Sequence, residues 1–151
     1  MEKIAVFVND ASHARHLLQP LLSRGRAGPV HWILVACPPT LTRHIGRWVS
    51  KQARQQWLDR WSIDLFAELE PDLRADDGSK VEKLVAKRPL VDVSARLQAR
   101  LSGLRLLDAR RARLGRADEP MVVDQPGDGR HSWLAPVAAT TGLSALLTLA
   151  D

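Results

Sequence analysis

The sequence predicts an α/β fold, a mostly parallel sheet with helices on its faces, and three observations carry that reading. The apolar runs at 3–8 and 30–36 lack polar alternation, as strands buried on both faces require. Each is followed by apolar residues recurring at three- and four-residue steps, the mark of an amphipathic helix. Strand and helix signals then keep alternating as far as residue 124, a rhythm that right-handed crossovers turn into a parallel sheet.

The first strand, KIAVFV, stops at Asn9-Asp10. Leu17, Leu18, Leu21 and Leu22 form the stripe of the first helix, with Asp10 or Ser12 placed to cap its start. Gly25 and Gly28-Pro29 break the chain before the second strand, VHWILVA, which Cys37-Pro38-Pro39 closes. Residues 42–70 carry the strongest helical pattern: Ile45, Trp48, Val49, Ala53, Trp57, Trp61, Leu65 and Leu69, with Pro71 as the end. Arg43, Arg47, Lys51, Arg54 and Arg60 fall on the opposite face. The tryptophans therefore read as core or dimer contacts pointing away from the arginines, which argues against a nucleic-acid surface.

VEKLVA, at 81–86, is the third strand. Val93, Leu97 and Leu101 mark a helix that Gly103 stops. LRLLD at 104–108 and PMVVD at 120–124 complete five strands, although Arg105 is out of place in a central one.

At 151 residues the chain fits one domain, read over 1–124, with a tail at 125–151. The tail opens on a turn-forming linker, and residues 133–150 are nearly free of charge, close to the minimum length for a membrane span. Pro136, Gly142 and the hydroxyl residues make a poor span, whereas Leu143, Leu146, Leu147 and Ala150 keep helical spacing. The expectation is an extra C-terminal helix packed on the domain or at a dimer interface. Hydrophobic residues at 45% and charged ones at 26% match a soluble globular composition. A single cysteine, Cys37, excludes an internal disulfide and fits a reducing compartment. The apolar stretch in MEKIAVFVND is too short for a signal peptide, so a cytoplasmic location is expected. A net charge of +5 attracts anionic partners in general, but arginine far outnumbers lysine, as GC-rich coding sequences tend to produce.

Open parallel sheets bind ligands beyond the carboxyl ends of their strands, where the strand order reverses. Asp10 follows the first strand and Asp108 ends the fourth, so as neighbours they would overlook one crevice. His13, His16 and Cys37 make an incomplete metal set. With no Gly-x-Ser-x-Gly elbow and no His–Asp partner for a nucleophile, an enzyme is not expected.

VFVNDAS, LRLLDARRARLG and EPMVVD occur in the order and spacing that resemble the universal stress protein family over residues 3–124. The resemblance implies a three-layer α/β/α fold with a five-stranded sheet in the order 3-2-1-4-5, commonly dimerised through the last strand. In the ATP-binding branch of that family the first-strand Asp, matched here by Asp10 with Ser12, lies near the nucleotide. A glycine-rich loop after strand four receives the phosphates, because glycines let backbone N–H groups surround anionic oxygens. Here that stretch keeps only Gly115, and Ala109 stands where the first glycine would fall. Arg110, Arg111, Arg113 and Arg116 could substitute guanidinium forks for the missing donors. Asp10 and Asp108 would repel a triphosphate unless Mg²⁺ intervened. The resemblance thus implies a regulatory or interaction protein with a degenerate nucleotide crevice. Its alternatives are an ATP or AMP binder using Asp10, Ser12, Asp108, Arg110, Arg111, Arg113 and Gly115, and a nucleic-acid-binding module.

Overall fold

A computed structural model describes residues 1–24, 28–39, 49–74, 78–112, 119–122 and 133–134. Four strands lie parallel: β1 (Glu2–Val8), β2 (Val30–Ala36), β3 (Lys80–Val85) and β4 (Arg105–Asp108). Three helices alternate with them: α1 (Ala11–Ser23), α2 (Lys51–Leu73) and α3 (Leu90–Arg100). The sheet runs β3-β2-β1-β4, and a two-residue strand β5 (Trp133–Leu134) pairs antiparallel with β4 at the edge.

The unbroken apolar strands do what their composition demands. Alternate side chains of β1 and β2 feed two cores, one on each face of the sheet. Ile4, Val6, Val8, Trp32 and Leu34 pack with Ala14 and Leu18 of α1 and Leu65, Phe66, Leu69 and Leu73 of α2. Ala5, Phe7, Ile33 and Val35 pack with Leu90 and Leu97 of α3 and with Leu104, Leu106 and Met121. All of β1 from Ile4 onward is fully buried. Arg105 is tolerated next to this core because its Nη1 lies 2.6 Å from Glu2 Oε1 on the neighbouring strand.

Several boundaries differ from the sequence reading. The fifth strand is not PMVVD: Met121 and Val122 form a bend, while residues 123–124 lie outside the described part. Pro120 brings no N–H for a ladder, and Met121 is wholly buried against the α3 face, anchoring the chain as a core residue. The edge place beside β4 goes to Trp133–Leu134 instead, so the segment expected to begin a C-terminal helix begins with a strand. Residues 135–151 are outside the described part.

α2 starts later and ends later than its periodicity predicts. Ser50 is extended and its hydroxyl accepts from Ala53 N at 3.1 Å, an N-cap that fixes the start at Lys51; residues 42–48 lie outside the described part. Pro71 sits inside the last turn, where it removes one hydrogen bond without stopping the helix, and burial of Leu69 and Leu73 favours that extra turn. α3 closes at Arg100, and Gly103 takes a positive φ of 74° in the turn that leads into β4.

A length mismatch shapes the upper end of the molecule. At roughly 1.5 Å per residue α2 is about 35 Å long, whereas a seven-residue strand spans only about 23 Å. The side chains that α2 buries run from Ser62 to Leu73, and none lies between Lys51 and Trp61. Both α1 and α2 return from the same end of the sheet, so they run parallel. Arg15, near the start of α1, bonds Asp72 Oδ2 at 2.8 Å and the Glu68 carbonyl at 2.7 Å, near the end of α2. The first half of α2 therefore overhangs the carboxyl edge of the sheet. No helix among the described residues is long and apolar enough to cross a membrane.

Candidate functional site

β1 and β4 are neighbours, with Phe7 opposite Asp108, so the two junctions singled out in the sequence do meet at the carboxyl edge. Backbone pairing continues one residue past each strand. Ala109 N donates to Phe7 O at 2.9 Å, Cys37 N to Val8 O at 2.7 Å and Ala86 N to Ala36 O at 2.9 Å. Asn9 then extends the seam with its side chain: Oδ1 accepts from Arg111 N at 2.6 Å and Nδ2 donates to Arg111 O at 3.1 Å. A primary amide here imitates one more residue of strand pairing.

Both oxygens of Asp10 have partners. Oδ1 accepts from His13 N at 2.9 Å and caps α1, and Oδ2 lies 3.6 Å from Arg111 Nη1. The Arg111 side chain is 69% exposed, so that ion pair is a loose, solvent-screened one. Ser12 is exposed on the first turn of α1.

Asp108 and Arg110 are joined far more tightly. The chain turns at Ala109 and brings Arg110 back onto the carboxylate two residues earlier. Oδ1 accepts from Arg110 N at 3.1 Å and Nε at 2.9 Å, and Oδ2 accepts from Nη2 at 3.0 Å. Each side chain is only 6% exposed. Two parallel charge-assisted bonds with little water around them make a tight, bidentate pair. Ala109, in the place expected for a phosphate-loop glycine, is fully buried in the core shared with α1 and α2.

Cys37 lies at the same edge. Burial pushes its thiol up to about 12; the Arg110 guanidinium works the other way, and the Asp108 and Glu119 carboxylates add to the rise. Near neutral pH the sulfur is a protonated, buried group, not a nucleophile. Glu119 is otherwise engaged. Its Oε1 accepts from Leu90 N at 2.9 Å and so caps α3, whose own N-cap, Pro89, has no side-chain hydrogen bond to offer.

The chain matches no protein-family model, no curated protein and no solved structure.

Of the seven residues picked out by sequence, five are described, and they fall into two sets. Asp10 and Arg111 form an exposed pair at the start of α1, near Ser12, while Asp108 and Arg110 form a buried pair on the α3 side. Arg113 and Gly115 lie outside the described residues. Among the described residues no cluster of three or more His, Cys, Asp or Glu could hold a metal ion. Sequence reasoning missed Asn9 and Glu119. The Asn9 contact spans 102 residues and that of Glu119 spans 29, so neither leaves a local pattern; the one available signal was that Pro89 cannot cap α3 itself. A groove of about 270 Å³ opens between α1 and α2 over Leu18, Leu22, Leu69 and Pro71, with the Arg15–Asp72 pair at its lip.

Proposed function

We propose that this protein resembles the universal stress proteins in kind and acts by regulation or interaction, not catalysis, with a nucleotide crevice occupied by its own side chains. The observation that carries the reading is the buried, bidentate Asp108–Arg110 pair. A phosphate that recruited Arg110 would have to strip it from Asp108 and break the bidentate bond of a buried carboxylate. Breaking such a pair costs about 3–5 kcal/mol, or roughly two to four orders of magnitude in affinity. The Asn9 clamp on the Arg111 backbone and the cap made by Asp10 support the same reading, because each spends a polar group on the fold. The high pKa of Cys37 removes the one thiol as a candidate nucleophile.

One observation favours the alternative of an ATP or AMP site: the Arg111 guanidinium is largely exposed beside Asp10 and the start of α1. Titration calorimetry with Mg²⁺–ATP and with AMP separates the two. The proposal expects no binding tighter than about 10 μM, that is about −7 kcal/mol. Tighter binding that disappears in Asp10→Ala and Arg111→Gln establishes the nucleotide site instead.

A further inference from the structure

The outer side of α2 carries a seam that the core does not use. Ala53, Trp57, Arg60, Asp64, Ala67 and Pro71 are all exposed and recur at steps of four, three, four, three and four. At about 3.6 residues per turn this spacing keeps them on one narrow stripe over about five turns, the stripe by which one helix packs on another. Apart from Met1, the large hydrophobic side chains left exposed among the described residues are Trp57, at 44%, and Ile63, at 64%. The first lies in the stripe and the second on its flank. The Trp57 ring stacks on that of Trp61, with centroids 6.3 Å apart and planes 14° from parallel, and Trp61 packs against the α1–α2 core. Trp57 is thus held in place before anything binds, which lowers the entropy cost of using it.

The stripe mirrors itself. About the level of Ser62, Ala53 stands opposite Pro71, Trp57 opposite Ala67 and Arg60 opposite Asp64. A second copy of α2 laid antiparallel across a two-fold at that level sets Trp57 on the partner's Ala67, a large side chain on a small one, and Arg60 on the partner's Asp64. Two ion pairs then form at the centre, and Ile63 comes beside its own copy. A parallel pairing would put Arg60 on Arg60 and Asp64 on Asp64, so the charges select the antiparallel register. Both charges are available, because neither Arg60 nor Asp64 makes an ion pair among the described residues although they stand one turn apart. A contact made by the same patch on two copies must be self-complementary, and this stripe is.

We propose that this protein forms a two-fold dimer through the outer face of α2, antiparallel to its copy at the level of Ser62, with Trp57 packed on the partner's Ala67 and Arg60 paired with the partner's Asp64. The overhanging half of α2, in which no side chain before Ser62 is buried, gains the later half of the partner's α2 to lie on. This interface is separate from the last-strand dimer that the family resemblance implies. It does not rest on the crevice reading, because no residue of the stripe belongs to the Asp10 or Asp108 sets. A single helix pair is a small contact, so a dissociation constant of about 1–100 μM is expected.

The test is sedimentation velocity of the whole chain at low salt, from about 1 to about 500 μM, a range that brackets such a constant. The wild type is expected to pass from monomer to dimer across it. Arg60→Asp and Asp64→Arg each set like charges against each other twice, so each should raise the dissociation constant at least about tenfold. The decisive sample is an equal mixture of these two variants. Across the two-fold each central contact is then one aspartate and one arginine, and a heterodimer should form that neither variant makes with itself. Trp57→Ala should weaken the wild-type dimer about 10- to 100-fold. All three side chains are exposed, so circular dichroism of each variant should match the wild type. A chain that stays monomeric to about 500 μM overturns the proposal and gives the face to another occupant, such as the chain's own C-terminal segment. A dimer that survives both charge reversals, or two variants that stay apart when mixed, puts any interface elsewhere on the molecule and overturns it equally. Saturating Mg²⁺–ATP should leave the dimer unchanged, and ATP binding without loss of the dimer would count only against the crevice reading.

Discussion

Replacing Asp108 by alanine tests the central feature of the carboxyl edge. The substitution removes both carboxylate oxygens from a guanidinium whose side chain is 6% exposed and deletes three hydrogen bonds at 2.9–3.1 Å. Arg110 then keeps a buried charge but loses the bidentate carboxylate that faces it, at a cost of about 3–5 kcal/mol. Against a total stability of about 5–15 kcal/mol for a domain this size, that is a large fraction. Arg110→Met should be comparably harmful, because it takes the bidentate guanidinium from a buried carboxylate. The double substitution Asp108→Leu with Arg110→Met removes both charges together and should recover most of the loss, since well-packed apolar replacements of buried pairs are often neutral or stabilising. Urea unfolding followed by circular dichroism gives the three free energies and the coupling between the sites. A single-mutant loss below about 1 kcal/mol, the value of an exposed pair, would refute the account of a desolvated pair. So would a double mutant as unstable as the sum of the singles.

Two further predictions concern groups buried at a cost. The Cys37 thiol is raised from an ordinary 9.0 to about 12, so the folded state favours the protonated form. Its contribution to stability should be complete below pH 9 and fall as pH rises toward 12, and the decline measured in urea at stepped alkaline pH should shrink in Cys37→Ala. On α3, Ser94 Oγ and both amide atoms of Gln98 are buried without hydrogen-bond partners. Gln98→Leu should therefore stabilise the fold by about 1–3 kcal/mol, seen as a higher Tm, and a lower Tm would show that the amide is satisfied in solution.

Much of the sheet was legible because burial on both faces forces a composition. KIAVFV and VHWILVA admit no surface side, and every residue from Ile4 to Val8 is indeed buried. α3 and β4 followed from spacing and from Gly103, where only a left-handed turn fits the chain direction. The course of residues 120–122 was misread because branched apolar residues suit a bend that plugs a core as well as they suit a strand. Trp57, read as a core or dimer contact, is not in the core of the chain, and the reason is different. Periodicity places it on the flank of the apolar stripe, but cannot say that a 23-residue helix outruns strands of four to seven residues. That comparison of lengths needs only the element boundaries.

At the site, adjacency in sequence was a poor guide to role. Asp10 and Asp108 look alike as carboxylates at strand ends, yet one caps a helix in partial contact with water and the other is sealed against an arginine two residues away. The distinction arises from which side of the sheet each residue leaves toward, a consequence of strand alternation combined with the turn at Ala109. Glu119 and Asn9 act across long sequence separations, so only the folded chain reveals them.

The nucleotide content of the protein as purified, read by absorbance and by chromatography of the acid-released supernatant, tests the self-filled crevice most directly. The account predicts less than about one nucleotide per ten chains, because Arg110 is held by Asp108 at a cost no phosphate recovers cheaply. Near-stoichiometric ATP or AMP, retained through purification and lost in Asp10→Ala, would contradict it.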